Sequence, residues 1–228
     1  MFGLDESIAS FSNGTTLLVV VAVSMILGLR HASDPDHLAA VATMIASGRD
    51  HAARRAARLG GIWGLGHATT LFVFGLPVVL YSAYLPEPVQ KAAETSVGFV
   101  IMLLALALLL RWRRGVYDGR TPHSHASTRT GLQAYWIGLV HGMGGTAGVG
   151  VLLLATIESR PLAVAALAIF ALCTAVSMTV LSTGFGLALS RAPIARTFNH
   201  AAPALGALSL VFGVWYALGA QGLVPYVL

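Results

Sequence analysis

From Thr15 to Ala46 the chain runs as one apolar block of 32 residues, interrupted only at its waist by RHASDPDH, Arg30 to His37. A straight helix of that length would reach about 48 Å at 1.5 Å per residue, against a bilayer hydrocarbon core of about 30 Å. The block must therefore tilt or break. Pro35 removes a backbone donor, clashes one turn back and biases Asp34 away from helical geometry, which predicts a kink or short unwound segment at Ser33 to Asp34. Unwound backbone at membrane depth survives only where it is buried in protein or lines a cavity. A charge at the bilayer centre costs about 2.5–3.5 kcal/mol, so the ionisable groups of the waist are expected to pair inside a polar pocket. Discontinuous spans of this kind build the midplane sites of many secondary transporters.

The rest of the chain has the same character. Further apolar blocks run from Gly60 to Ala83, Thr95 to Leu110, Leu132 to Ile157, Leu162 to Leu189 and Ala201 to Leu218. With 56% apolar and 10% charged residues and a mean hydropathy of +0.77, residues 1–228 are predicted to form a single all-α integral membrane domain of six transmembrane helices. Of the 14 Lys and Arg, Arg49, Arg54, Arg55 and Arg58 follow the first block, Arg111, Arg113, Arg114, Arg120 and Arg129 the third, and Arg191 and Arg196 the fifth. Cytoplasmic loops carry such an excess. Alternate connections are therefore placed inside and both termini outside, in the cytoplasmic (inner) membrane. The arginines do not gather on a soluble face with interleaved aromatics, which excludes nucleic acid and leaves the lipid bilayer as the partner. No basic region precedes the first apolar block, so it is expected to remain as a permanent span. Cys173 stands alone, which rules out a disulfide or a CxxC pair within the chain.

If the waist is mostly helical, steps of 100° put His31, Asp34 and His37 on one broad face and turn Asp36 toward another neighbour. Two imidazoles and a carboxylate converge there. That donor set suits nickel, cobalt, zinc and copper rather than magnesium or calcium, and no thiolate is at hand for copper(I). Ligation needs neutral imidazoles, so protons compete with the metal and the same groups could couple its movement to a proton gradient. The plainer alternative is that these groups only neutralise Arg30 as an interhelical staple, yet two acids and two histidines exceed what one arginine needs.

His67, in WGLGHATTLFVFG, is expected about seven residues inside the second span, and His141, in GLVHGMGGTAGVG, about ten residues from the same face. Each is a candidate ligand or pathway residue, against the alternative of a histidine that only donates a hydrogen bond between helices. Met143 could add a thioether or simply fill space. His123 and His125, in the cytoplasmic loop 111–131, have the spacing of a weak metal pair or of a solvated linker, while His51 and His200 carry no assigned chemistry. The candidate metal set is His31, Asp34, Asp36, His37, His67 and His141.

Gly28, Leu29 and His31 recur 110 residues later as Gly138, Leu139 and His141. If this marks a repeat, residues 1–114 and 132–228 are two three-helix halves, and an odd number of spans in each makes them inverted. The acids are not repeated, because Asp34, Asp36 and His37 correspond to Gly144, Thr146 and Ala147. The site is then asymmetric, with ligands mostly from the first half and a close backbone approach from the glycine-rich second.

RHASDPDHLAAV resembles the HxxxxDH signature of the nickel/cobalt transporter family, whose usual form is close to RHAxDADHI. WGLGHATTLFVFG is similar to that family's following span, and GLVHGMGGTAGVGVLLL to the later histidine-glycine span of its shorter, six-span relatives, some of them linked to urease accessory roles. Pro35 stands where alanine is usual, and typical members have eight spans. The resemblance implies a secondary permease for Ni2+ or Co2+ as substrate, with Zn2+ fitting the same donors and no resident cofactor. His31, Asp36 and His37 would be its signature residues, with Asp34 beside them. The alternatives are an intramembrane metal-dependent enzyme and a metal-binding subunit of a larger complex. Neither HExxH nor a GxSG elbow is present to serve the first, and no GxxxxGK[ST] loop couples the chain to ATP.

Overall fold

A computed structural model of the chain describes residues 14–45, 52–81, 86–115, 130–143, 151 and 154–225. The regular elements among them are helices: α1 (Gly14–His31), α2 (Pro35–Ile45), α3 (Ala52–Tyr81), α4 (Glu87–Arg113), α5 (Gly131–His141), α6 (Arg160–Ser190) and α7 (Ala192–Ala220). Four of them, α3, α4, α6 and the Thr197–Ala220 part of α7, are long and apolar enough to cross a membrane, and α1 adds a shorter apolar helix over Leu17–His31. Leu18, Leu103, Leu172 and Leu208 stand exposed on the outside of the bundle, where a lipid-facing surface puts its apolar side chains. The chain is a multi-pass membrane protein.

The first apolar block is two helices rather than one. α1 stops at His31, Ala32 to Asp34 form a turn, and α2 opens at Pro35, so the break falls where the proline predicts it. The backbone groups at the break are used locally. Ser33 N donates to the Arg30 carbonyl at 2.8 Å, Asp34 N to that of His31 at 3.1 Å, and Leu38 N to that of Asp34 at 3.0 Å, which meets the demand for satisfied backbone at membrane depth. The fourth block also stops early. α5 starts on a capping box between Thr130 and Gln133 and ends at His141, where Gly142 N donates to the Gly138 carbonyl at 2.9 Å. Residues 144–150, with most of the glycine-rich stretch, lie outside the described residues, as do His51, His123 and His125.

α3 begins eight residues before its apolar block, at Ala52 rather than Gly60. Arg54, Arg55 and Arg58 are good helix formers, and their long stems carry the charge out to the interface. His67 therefore sits at the middle of a 30-residue helix, deeper than the apolar pattern suggests.

α3 packs against both α5 and α6, α1 against α6, α4 against α7, and α2 against α4 and α6. Glycines set the closest approaches, as expected where helices associate without a hydrophobic drive from water. A Cβ at Gly138 would collide with the Trp63 carbonyl oxygen, and one at Gly66 with that of Tyr135; at Gly28 it would lie 2.6 Å from the Phe170 carbonyl oxygen. Two hydroxyls then tie the ends of the short helices to the long ones. Thr70 Oγ1 on α3 donates to the Leu139 carbonyl at 2.9 Å, and Ser177 Oγ on α6 donates to the Leu29 carbonyl at 3.3 Å. Both carbonyls belong to last turns, which have no partner inside their own helix.

Candidate metal centre

α1 and α5 each end on a histidine, His31 and His141, beside His37 in the first turn of α2 and His67 at mid-α3. All four rings are buried. His37 is at the centre, its ring centroid 4.7 Å from His31, 4.8 Å from His67 and 4.8 Å from His141. His31 and His67 are 5.1 Å apart, and His67 and His141 6.3 Å. Trp63 walls one side, 5.8 Å from His141, and Phe170 the other, 5.8 Å from His31.

Asp34 Oδ2 lies 3.1 Å from His31 Nδ1, and Asp36 Oδ1 lies 3.1 Å from His37 Nδ1. A carboxylate facing Nδ1 holds the proton there, so each Nδ1–H donates outward and Nε2 keeps its lone pair for a metal. Asp36 Oδ2 is also 3.2 Å from His141 Nε2, an approach too poorly aligned to be a hydrogen bond. The helical-wheel expectation that Asp36 turns away from the His37 face therefore fails. The wheel assumed an unbroken helix, and the turn at Ala32 to Asp34 resets the angle between His31 and everything after it. Asp34 ends mostly buried at the edge and Asp36 fully buried at the centre.

Arg30 is exposed and has no ion pair among the described residues, so the staple alternative falls. One hydrogen bond between helices, His31 Nε2 with His67 Nε2 at 3.0 Å, is present, but it does not account for the rest of the cluster. Among the described residues, His37 Nε2, His67 Nδ1 and both ring nitrogens of His141 have no hydrogen-bond partner, and each such buried polar group left unsatisfied costs about 1–3 kcal/mol. The residues of the cluster fall into two groups whose candidate donor atoms all lie within 4.8 Å of one another, His31 with His37 and His67, and Asp36 with His37 and His141. The C-terminal ends of α1 and α5 meet at the same place. Each carries roughly half a negative charge, and the N-terminal end of α2, where Asp36 and His37 lie, carries the opposite sign, so the three ends together leave a small net field that favours a cation.

Trp63 is a lining residue the motif reading missed; it lies one turn before His67, so the shared helix face could have revealed it. Phe170 comes from α6, far away in sequence, and no motif announces it.

Asp34 faces His31 Nδ1 and stands outside both groups of converging donors, which gives it the place of an orienting partner. Asp34→Asn is expected to weaken nickel binding about 10–100-fold, the usual cost of losing an orienting partner, in a titration of the purified protein with Ni2+. Unchanged affinity would remove Asp34 from that role.

Residues 17–120, from α1 to just past α4, match the family described as NicO, high-affinity nickel-transport protein. The match covers a little under half of the chain, and over that stretch the chain is similar to that family. The matched stretch contains RHASDPDH and His67, so the resemblance seen in those motifs holds, and it stops before His141. Over 217 residues, 88% of this chain and 91% of the other, the chain is also 26% identical to urease accessory protein UreH of Bacillus sp. (strain TB-90). That similarity extends well past α5. No solved structure matches the chain.

Proposed function

We propose that the chain is a secondary permease moving Ni2+ or Co2+ across the cytoplasmic membrane. The observation that carries this reading is the buried cluster of four imidazoles and two carboxylates, assembled where two helices stop short, in a chain similar to nickel-transport proteins. An incoming hydrated ion would exchange water for imidazole nitrogens, with His31, Asp36, His37, His67 and His141 as donors and Asp34 orienting His31. The helix ends together offset a part of its charge. The donor set and the similarity to transport proteins favour passage over turnover, and no observation favours an enzyme.

The same reading includes six spans in two inverted halves, both termini outside. Equivalent contacts recur with exchanged partners, which supports it. Gly28 of α1 abuts the Phe170 carbonyl of α6, as Gly138 of α5 abuts the Trp63 carbonyl of α3. Ser177 reaches Leu29 as Thr70 reaches Leu139, and Phe170 stands against His31 as Trp63 stands against His141, each at 5.8 Å. Rocking one half against the other around a fixed cluster is the motion such repeats permit.

Nickel flux into vesicles holding the purified protein tests the assignment. Flux is expected to saturate with Ni2+ and to fall as the pH is lowered, because a protonated imidazole has no lone pair to offer. Flux no greater than through protein-free vesicles would overturn the assignment.

A further inference from the structure

We propose that the cluster holds its ion at two successive positions, each built on the terminal histidine of one short helix, with His37 common to both. The proposal rests on the permease reading and says how the ion moves through it.

The two donor groups share only His37. One is all nitrogen, His31 with His37 and His67; the other mixes nitrogen and oxygen, His37 with Asp36 and His141. Each contains the terminal histidine of one short helix, His31 of α1 or His141 of α5, and these two residues stand 110 apart as corresponding members of the recurring Gly-Leu-x-His pattern. Each position also has its own aromatic wall, Phe170 beside His31 and Trp63 beside His141. His37 lies almost equally far from the three other rings. It can stay bound while its companions are exchanged.

A single position using every donor fits less well. His67 and His141 are the most widely separated of the ring pairs in contact, at 6.3 Å, and no single group within 4.8 Å includes both. An ion that changes companions around one fixed ligand never has to be stripped bare, which keeps the barrier between the positions low. Conduction generally needs sites that bind well enough to enter yet weakly enough to leave, and neighbouring sites supply that.

Co2+ binding to the purified full-length chain tests this, because the visible absorption of cobalt reports which donors surround it. His67→Asn removes a ligand from the all-nitrogen position only, and His141→Asn removes one from the mixed position only. Each variant is expected to keep cobalt binding within about tenfold of wild type, with a spectrum different from the other's, while His37→Asn loses binding altogether and all three lose uptake. His67→Gln and His141→Gln repeat the comparison should either asparagine variant fold poorly. If His67→Asn and His141→Asn lose cobalt as completely as His37→Asn, or give one shared spectrum, there is a single position and the proposal fails while the permease reading stands. If the wild-type chain itself binds no cobalt and transports none, the permease reading fails beneath it.

Discussion

Replacing His37 with alanine is expected to abolish nickel uptake while leaving the amount of protein in the membrane unchanged. His37 is fully buried and its ring is the one within 5 Å of all three other histidines, so its loss removes a donor from both candidate groups at once. Losing an orienting partner of a ligand costs about 10–100-fold, and losing the shared ligand should exceed that and bring uptake to background. The protein should still insert, because insertion follows the apolar helices and the flanking arginines, neither of which is altered. Radioactive nickel uptake by cells, normalised to the protein found in the membrane fraction, measures the effect. Wild-type uptake by His37→Ala would take the cluster out of the ion's path.

The second large effect is structural. Gly138→Val should leave little correctly folded protein, because the first added carbon already collides with the Trp63 carbonyl oxygen and would lie 2.9 Å from the His67 amide nitrogen. Both are backbone atoms of α3 and cannot swing aside as a side chain would. Ordinary overpacking costs about 1–3 kcal/mol, and a clash between backbones sits at the upper end or beyond. The displacement also carries His141 off the cluster, since it lies one turn further along α5. Gly184→Val is the control, because a Cβ there meets nothing within 4 Å. Size-exclusion profiles and melting temperatures in detergent separate the two. A Gly138→Val protein as monodisperse and stable as Gly184→Val would show that α3 and α5 are not held by that contact.

Much of this was legible in the residues alone, because the bilayer leaves few choices. A 32-residue apolar block with a proline at its waist had to break, and it breaks one residue before Pro35. His67 and His141 were recognisable as partners of the waist because lone imidazoles inside apolar helices are rare. Two things were not legible. The direction of Asp36 depended on the torsion of three residues in the turn, and a helical wheel carries no information across a break. The ends of α3 and α4 ran past their apolar blocks because arginine and glutamate extend a helix as readily as leucine does, so hydropathy marked the buried part of each helix and not its length.

Under the proposed reading, the donors of the cluster also decide which ions are turned away. Magnesium keeps its water tightly and prefers oxygen at near-ideal octahedral geometry. Between Trp63 and Phe170 it would find four imidazoles and one carboxylate already shared by two of them, a poor exchange for six waters. Rejection of the commonest divalent ion thus needs no gate of its own: it follows from how little oxygen the chamber offers to a visitor that must arrive undressed.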